Sequence, residues 1–333
     1  MATYSIRSLL PALTPHASRL VGPAARERLA QLASRLPAIG SCGAFELHLG
    51  SGEERADLLI FSDGQGGRRE LARDLDASLL AGPELRSLFS EWTLPGSMLE
   101  TRTSHIWLEY DLPEGRESRL PMVYFGLLGL SPAELGELAQ RIRQLLTGRA
   151  ATATETAQRR TLEHCMRTLP EDGQVTFLAD PCLSRGVQPV RLIAQVPREH
   201  AWSWLASIGW QGSREQWERA AAVFANCPRH ISLYLDVADT VGPKLGVESL
   251  FPASEGAREL WEGLAAQLVD LGVTTAAESA AILSWAGAET VDLPDHESLV
   301  RIGRSLSFKL VLEAQGAISA KGYLAFRARE ALF

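Results

Sequence analysis

Hydrophobic residues recur with a period of two in ten short segments and with a helical period in the segments between them. The strand-like segments form five pairs, at 44–49 and 57–62, 105–111 and 121–128, 174–179 and 189–196, 230–237 and 244–251, and 304–313 and 318–326. Helical patterns separate the pairs, at about 24–36, 68–80, 83–91, 131–147, 154–168, 198–207, 213–226, 255–271 and 275–286. Each pair is predicted to form an antiparallel hairpin, because its connection is too short for a crossover helix.

Five hairpins separated by helices favour a closed sheet. Ten antiparallel strands joined by outer helices can remove their exposed edges by closing into a barrel. We therefore predict one α+β domain over residues 1–333, a ten-stranded antiparallel β-barrel of five αββα units with the helices outside. An α+β protein with two separate sheets is the alternative.

The polar residues of the predicted strands fall on one face of each strand. The amphipathic helices need an apolar surface to cover, so the polar faces are expected to point into the barrel. The predicted lumen residues are Glu46, Trp107, Glu109, Arg191, Tyr234, Asp236, Lys244, Glu248, Lys309, Lys321 and Tyr323. Because enclosed charges are costly unless paired or solvated, such a lumen indicates a ligand site. An open sheet with its polar faces in water is the alternative.

Composition narrows the functional classes. The net charge of −7 argues against a nucleic-acid-binding surface, which needs a basic field. No apolar run approaches the roughly 20 residues of a membrane span, so we expect a cytoplasmic protein. The cysteines, predicted to be buried thiols, are Cys42, Cys165, Cys182 and Cys227. The histidines lack metal-ligand spacing, so no metal site is predicted, although convergence of His48, His105 and His230 in the lumen is left open.

The order of elements over residues 24–326 resembles that of the aromatic and peptide prenyltransferases of the ABBA, or PT-barrel, type. The strings HISLYLD (230–236), LSFKLVL (306–312) and AKGYLAF (320–326) are similar to the strands that carry Lys, Arg and Tyr inward in that family. The resemblance implies transfer of a prenyl group from an allylic diphosphate to a small aromatic molecule or a peptide side chain.

The resemblance also implies roles for the lumen residues. The cations expected to hold the diphosphate are Arg191, Lys244, Lys309 and Lys321. The aromatic rings expected to shield the allylic cation are Trp107, Tyr234 and Tyr323. Glu109 is the candidate for orienting the acceptor or taking its proton. No permanently bound cofactor is implied, and Mg²⁺ accompanying the diphosphate is left open.

One feature departs from the family pattern. The carboxylates Glu46, Glu109, Asp236 and Glu248 are more than a diphosphate funnel needs, and they would partly cancel its cationic field. They point to an amine-bearing acceptor, such as a peptide side chain, or to another activity of the barrel. A non-catalytic barrel that binds a peptide or metabolite in a biosynthetic pathway is therefore the alternative. The sequence leaves the oligomeric state open.

Overall fold

A computed structural model describes residues 4–52, 55–64, 66–74, 82–113, 120–149, 152–181, 189–249, 257–294 and 296–331. The helices in these ranges are Ile6–Ala17 (α1), Pro23–Ala33 (α2), Gly66–Asp74 (α3), Pro83–Thr93 (α4), Met98–Arg102 (α5), Pro132–Thr147 (α6), Ala153–Arg167 (α7), Arg198–Ser207 (α8), Arg214–Val223 (α9), Ala257–Asp270 (α10) and Ala276–Leu283 (α11). The strands are Cys42–Leu49 (β1), Ala56–Asp63 (β2), Thr103–Tyr110 (β3), Met122–Leu127 (β4), Gln174–Ala179 (β5), Val190–Pro197 (β6), His230–Val237 (β7), Val241–Ser249 (β8), Gly287–Val291 (β9), Val300–Leu312 (β10) and Ile318–Glu330 (β11).

Ten of the strands close into an antiparallel barrel. Strands β1 to β8 follow one another in chain order, β10 pairs with β8, and β11 pairs with both β10 and β1. The eleventh strand, β9, pairs with the first residues of β10 outside the closed ring. This topology confirms the predicted barrel, and the alternatives of two separate sheets and of an open sheet are wrong.

The apolar faces of the strands point outward to the helices, as predicted. Leu233 and Leu235 of β7 are fully buried in the same hydrophobic core as Phe89 and Trp92 of α4. Local sequence fixes the helix starts: at α6, the Ser131 hydroxyl accepts from the Glu134 amide in a capping box. Burying one face of every strand leaves the opposite faces for the barrel interior.

The hairpin turns define one end of the barrel, here called the turn end, and the connections to the helices define the other, the helix end. Strands β10 and β11 have thirteen residues each and extend beyond the ring at the helix end, where β9 joins them. Neither α1 nor β9 was predicted. Strand β10 begins four residues before its predicted start, and β11 ends four residues after its predicted end. Their extra residues include Arg301, Gly303 and Arg329, which lack the apolar alternation of a half-buried strand.

Some sequence predictions fall outside the described residues. These include Cys182 and the ends of the predicted segments 68–80, 244–251 and 255–271. Cys42 and Cys165 are buried, as predicted, whereas Cys227 is only partly buried, and none of these three forms a disulfide with a described residue. Across the described ranges, no helix combines the length and apolar character needed to cross a membrane.

Candidate functional site

The barrel encloses a cavity of about 270 Å³ whose wall comes from the inward faces of the strands. Six of the predicted lumen residues line it: Trp107, Glu109, Tyr234, Glu248, Lys309 and Tyr323. The wall is aromatic and apolar over most of its area, with two carboxyl groups and one ammonium group among its polar side chains. This combination suits a ligand with an apolar body and a few polar or charged groups.

Lys309 lines the cavity and lies against two of its aromatic rings. Its Nζ is 4.4 Å from the centre of the Tyr234 ring and 5.0 Å from the centre of the Tyr323 ring. Burial lowers the pKa of Lys309 to about 8, although the nearby charge of Glu46 favours the protonated form. The Lys309 ammonium therefore lies against two aromatic rings, both of which attract positive charge.

Glu46 joins the two lumen lysines. It is fully buried, accepts a hydrogen bond from Lys321, and has Oε2 4.0 Å from Lys309 Nζ. Burial alone would raise the pKa of Glu46, but the charges of Lys321 and Lys309 outweigh burial and hold the pKa well below its usual range. Glu46 is therefore an ionised anchor for the lysines.

Two further carboxyl groups face the cavity and bind tyrosine hydroxyls. The Tyr124 hydroxyl donates to Glu109 Oε2 at 2.6 Å. Glu248 accepts from the Tyr234 hydroxyl and from Ser307 Oγ, the latter at 2.7 Å. Burial raises the pKa of Glu248, and the charge of Lys309 opposes this rise. Both carboxyl groups therefore lie in the cavity wall and are held there by hydroxyl donors.

Three predicted lumen residues lie towards the turn end, away from the cavity wall. Arg191 forms a two-bond ion pair with Asp236, at 2.9 and 3.2 Å. Lys244 shares the inward face of β8 with Glu248, but its side chain is 47% exposed and pairs with Glu313 at 2.8 Å. The structure thus separates the predicted cations into two lysines beside the cavity and two groups near the turn end.

Sequence reasoning missed several inward residues. Asp57 is fully buried beside Glu46 in the strand register and accepts from Arg55 and from the Leu112 amide. Tyr124 and Asp57 escaped notice because their strands, PMVYFGLL and DLLIFS, are apolar on both faces and show no alternation. The strand register could have revealed both residues, because it places Tyr124 opposite Trp107 and Asp57 opposite Glu46.

The histidines occupy separate parts of the barrel. His48 Nε2 lies 3.3 Å from Asp57 Oδ2, whereas the His105 ring packs on Phe61 and Phe177. His230, at the start of β7, contacts the carbonyl oxygen of Asp172.

A metal ion has one geometric candidate among the described residues. Donor atoms of Glu46, His48 and Asp57 lie within 4.8 Å of one another. Both carboxylates already bind cationic side chains, Lys321 in one case and Arg55 in the other. A divalent cation would have to compete with these positive charges, so the donor set does not fit a resident metal.

Comparison with known proteins identifies the fold. No protein-family model matches the sequence, and no curated protein matches it either. Among solved structures, 22 chains match. One is AnaPT from Neosartorya fischeri, which is 12% identical, with a TM-score of 0.55 over 97% of this chain and 95% of that chain. The chain therefore has the αββα barrel fold of AnaPT, in agreement with the PT-barrel architecture that the order of its elements predicts.

Proposed function

We propose that this barrel transfers a prenyl group from an allylic diphosphate to an aromatic small molecule or a peptide side chain in its lumen. The observation that carries the proposal is the lumen cavity, in whose wall three aromatic side chains, Trp107, Tyr234 and Tyr323, lie with the carboxyl groups of Glu109 and Glu248. Such a cavity can stabilise a carbocation and accept a proton. The shared fold supports the proposal, because AnaPT is an ABBA prenyltransferase.

The first step breaks the bond between the allylic carbon and the diphosphate oxygen. The electron pair leaves with the diphosphate, and the positive charge remains on the allyl group. The faces of Trp107, Tyr234 and Tyr323 line the space where this cation would form. Their π-electrons would attract the cation, and the surrounding barrel wall would limit the access of water that could capture it.

The second step joins the allylic carbon to a nucleophilic atom of the acceptor. The acceptor then loses a proton, and Glu109 is the proposed base. Tyr124 orients this carboxylate by donating to Oε2, and Glu109 lies in the cavity wall. With Glu248 in the same wall, an acceptor that carries an amine or other cationic group would gain charge complementarity.

Product analysis tests the proposal directly. The protein is incubated with dimethylallyl or geranyl diphosphate and a panel of aromatic molecules and peptides, and products are weighed by mass spectrometry. An added C5 or C10 unit is expected, and Glu109→Gln should slow its formation by about 10²–10⁴-fold. The control is Glu313→Gln, which removes a carboxylate outside the cavity. Absence of product, together with absence of thiodiphosphate binding, would refute prenyl transfer.

The proposal includes no permanently bound cofactor, and the reaction is assigned to the cytoplasm. Mg²⁺ can accompany the diphosphate as part of the substrate. Product formation measured with and without EDTA checks this dependence, and cell fractionation checks the compartment.

A non-catalytic binding barrel is the second candidate. One observation favours it: each predicted diphosphate-binding cation has a carboxylate within 4.0 Å, which reduces the field available to an anion. The barrel would then bind a peptide or metabolite without changing it. Persistent binding of an acceptor with no mass change, in the presence of every donor tested, would support this candidate.

A further inference from the structure

A second cavity lies at the helix end of the barrel, where β10 and β11 extend beyond the ring. It has a volume of about 500 Å³ and lies against β9, β10, β11 and α10. Five arginines line it: Arg258, Arg301, Arg304, Arg327 and Arg329. Ser305 lines both this arginine pocket and the lumen cavity, so the two spaces adjoin.

The strand register places three of these arginines on the face that continues the lumen wall. Arg301 lies directly opposite Arg329, and Arg327 lies opposite Gly303. On β10 the same face continues through Ser305 and Ser307 towards Lys309. A Cβ added to Gly303 would have the Arg327 carbonyl oxygen, 4.0 Å away, as its nearest neighbour, so the glycine leaves open space beside Arg327.

The pocket places like charges opposite each other at exposed positions, and a bound anion would relieve their repulsion. Directly opposite like charges destabilise an antiparallel pair, and Arg301 and Arg329 are such a pair. In the described part of the chain, no carboxylate lines the pocket. Arg304 pairs with Glu289 and Arg258 with Glu262, whereas Arg301, Arg327 and Arg329 form no ion pair with any described residue. This concentration of positive charge stands out in a chain of net charge −7.

We infer that the arginine pocket binds the diphosphate group of the donor, and that the lumen lysines serve the lumen carboxylates instead. Guanidinium groups suit this task, because they bind phosphate oxygens through paired hydrogen bonds. Gly303 and Ser305 are two residues apart on an extended strand, roughly 7 Å, and Ser305 lines both spaces. A diphosphate in the arginine pocket can therefore keep its adjacent allylic carbon at the boundary with the lumen cavity. The inference rests on the proposed function only for the identity of the donor; the pocket's affinity for a diphosphate group does not depend on turnover.

Calorimetric titration with inorganic pyrophosphate tests the pocket without any reaction. The wild-type protein should bind, and Arg301→Gln/Arg329→Gln should bind at least about tenfold more weakly, because charge-assisted hydrogen bonds are lost. The matched control is Arg160→Gln/Arg219→Gln, with the same charge change at exposed positions on α7 and α9. It should alter affinity by less than about twofold in 0.15 M salt, since distant charges are screened.

A second titration links the pocket to the lumen. Dimethylallyl thiodiphosphate should bind more tightly than pyrophosphate, and Trp107→Ala should remove this gain while leaving pyrophosphate affinity unchanged. Thermal unfolding of the arginine double variant monitors its folding. Its midpoint should not fall below that of the wild type, because the substitutions relieve repulsion between Arg301 and Arg329.

The outcomes separate this inference from prenyl transfer itself. If Lys309→Met/Lys321→Met keeps a cooperative thermal unfolding transition but loses pyrophosphate binding, and the arginine double variant retains binding, the diphosphate binds in the lumen and the inference is wrong. No pyrophosphate binding by the wild type also overturns it. If the arginine variant loses binding but no donor and acceptor ever yield a product, the anion pocket stands and prenyl transfer fails.

Discussion

Lysine occurs at only three positions in the chain, although Lys and Arg together number 33. All three, Lys244, Lys309 and Lys321, are on barrel strands, at positions that belong to the inward-facing side of the strand. A lysine ammonium is compact and can titrate when buried, whereas guanidinium is planar and always charged. Two of the three, Lys309 and Lys321, share the buried carboxylate of Glu46, a crowded position that suits the compact ammonium.

We predict that Glu46→Gln destabilises the fold strongly. The substitution leaves Lys309 and Lys321 close together without their shared carboxylate. Removing one partner of a buried ion pair typically costs about 3–5 kcal/mol of unfolding free energy. Urea denaturation at pH 7 measures the loss. Glu313→Gln is the control: it breaks the exposed pair with Lys244, for which we expect a loss within about 1 kcal/mol.

The Glu46 contribution should also depend on pH. The lysines hold its pKa in the folded protein below the usual value of 4.5, so its contribution is fully present above pH 4.5 and is lost as pH falls through the folded pKa. The difference in unfolding free energy between wild type and Glu46→Gln should therefore narrow in acid. A difference that is small at pH 7, or that does not change in acid, would contradict this account of Glu46.

At the scale of single elements, β8 shows how a missing side chain shapes the lumen. Gly246 lies opposite Tyr234 in the register and beside Lys309. A Cβ at this position would lie 2.9 Å from Tyr234 Cβ and 3.2 Å from Lys309 Cδ. The glycine therefore leaves the room in which the ammonium lies against the Tyr234 ring.

We predict that Gly246→Ala destabilises the barrel by about 1–3 kcal/mol, because the added methyl group overpacks the lumen wall. The matched control on β10 is Gly303→Ala, where the nearest atom is 4.0 Å away. Chemical denaturation of both variants provides the comparison. If the two substitutions had equal effects, the close approach of Lys309 and Tyr234 to β8 would not be what requires glycine at position 246.

Whether a strand can be oriented from its sequence depends on whether one or both of its faces are apolar. Strand β7, with Ile231, Leu233 and Leu235 against Ser232 and Tyr234, could be assigned and oriented from sequence because only one face is apolar. Strands β2 and β4 could be located but not oriented, since both of their faces are apolar. Strand β9 was missed because it is short and pairs outside the ring, where no apolar face is required.

At the scale of the whole molecule, closure decides what the inward faces become. The last strand, β11, pairs with the first, β1, and this pairing closes the sheet and creates the lumen. Sequence alternation could assign residues to the lumen face, but not their depth along the barrel axis. Lys244 and Lys309 both lie on inward faces, yet one side chain is 47% exposed and the other 8%. Depth depends on strand stagger, which a single sequence does not encode locally.

This difference in depth can be measured on the intact protein, because the chain has only three lysines and each can be followed separately. We predict that an amine-reactive reagent at pH 8.5 labels Lys244 rapidly and Lys309 slowly, as followed by peptide mass spectrometry. Burial lowers the pKa of Lys309 to about 8, so at this pH much of its amine is unprotonated and reactive. Protection of Lys309 would therefore report the closed wall rather than a lack of reactivity. In denaturant, all three lysines should react at similar rates, whereas equal labelling of Lys244 and Lys309 in the folded protein would show that the barrel admits the reagent freely.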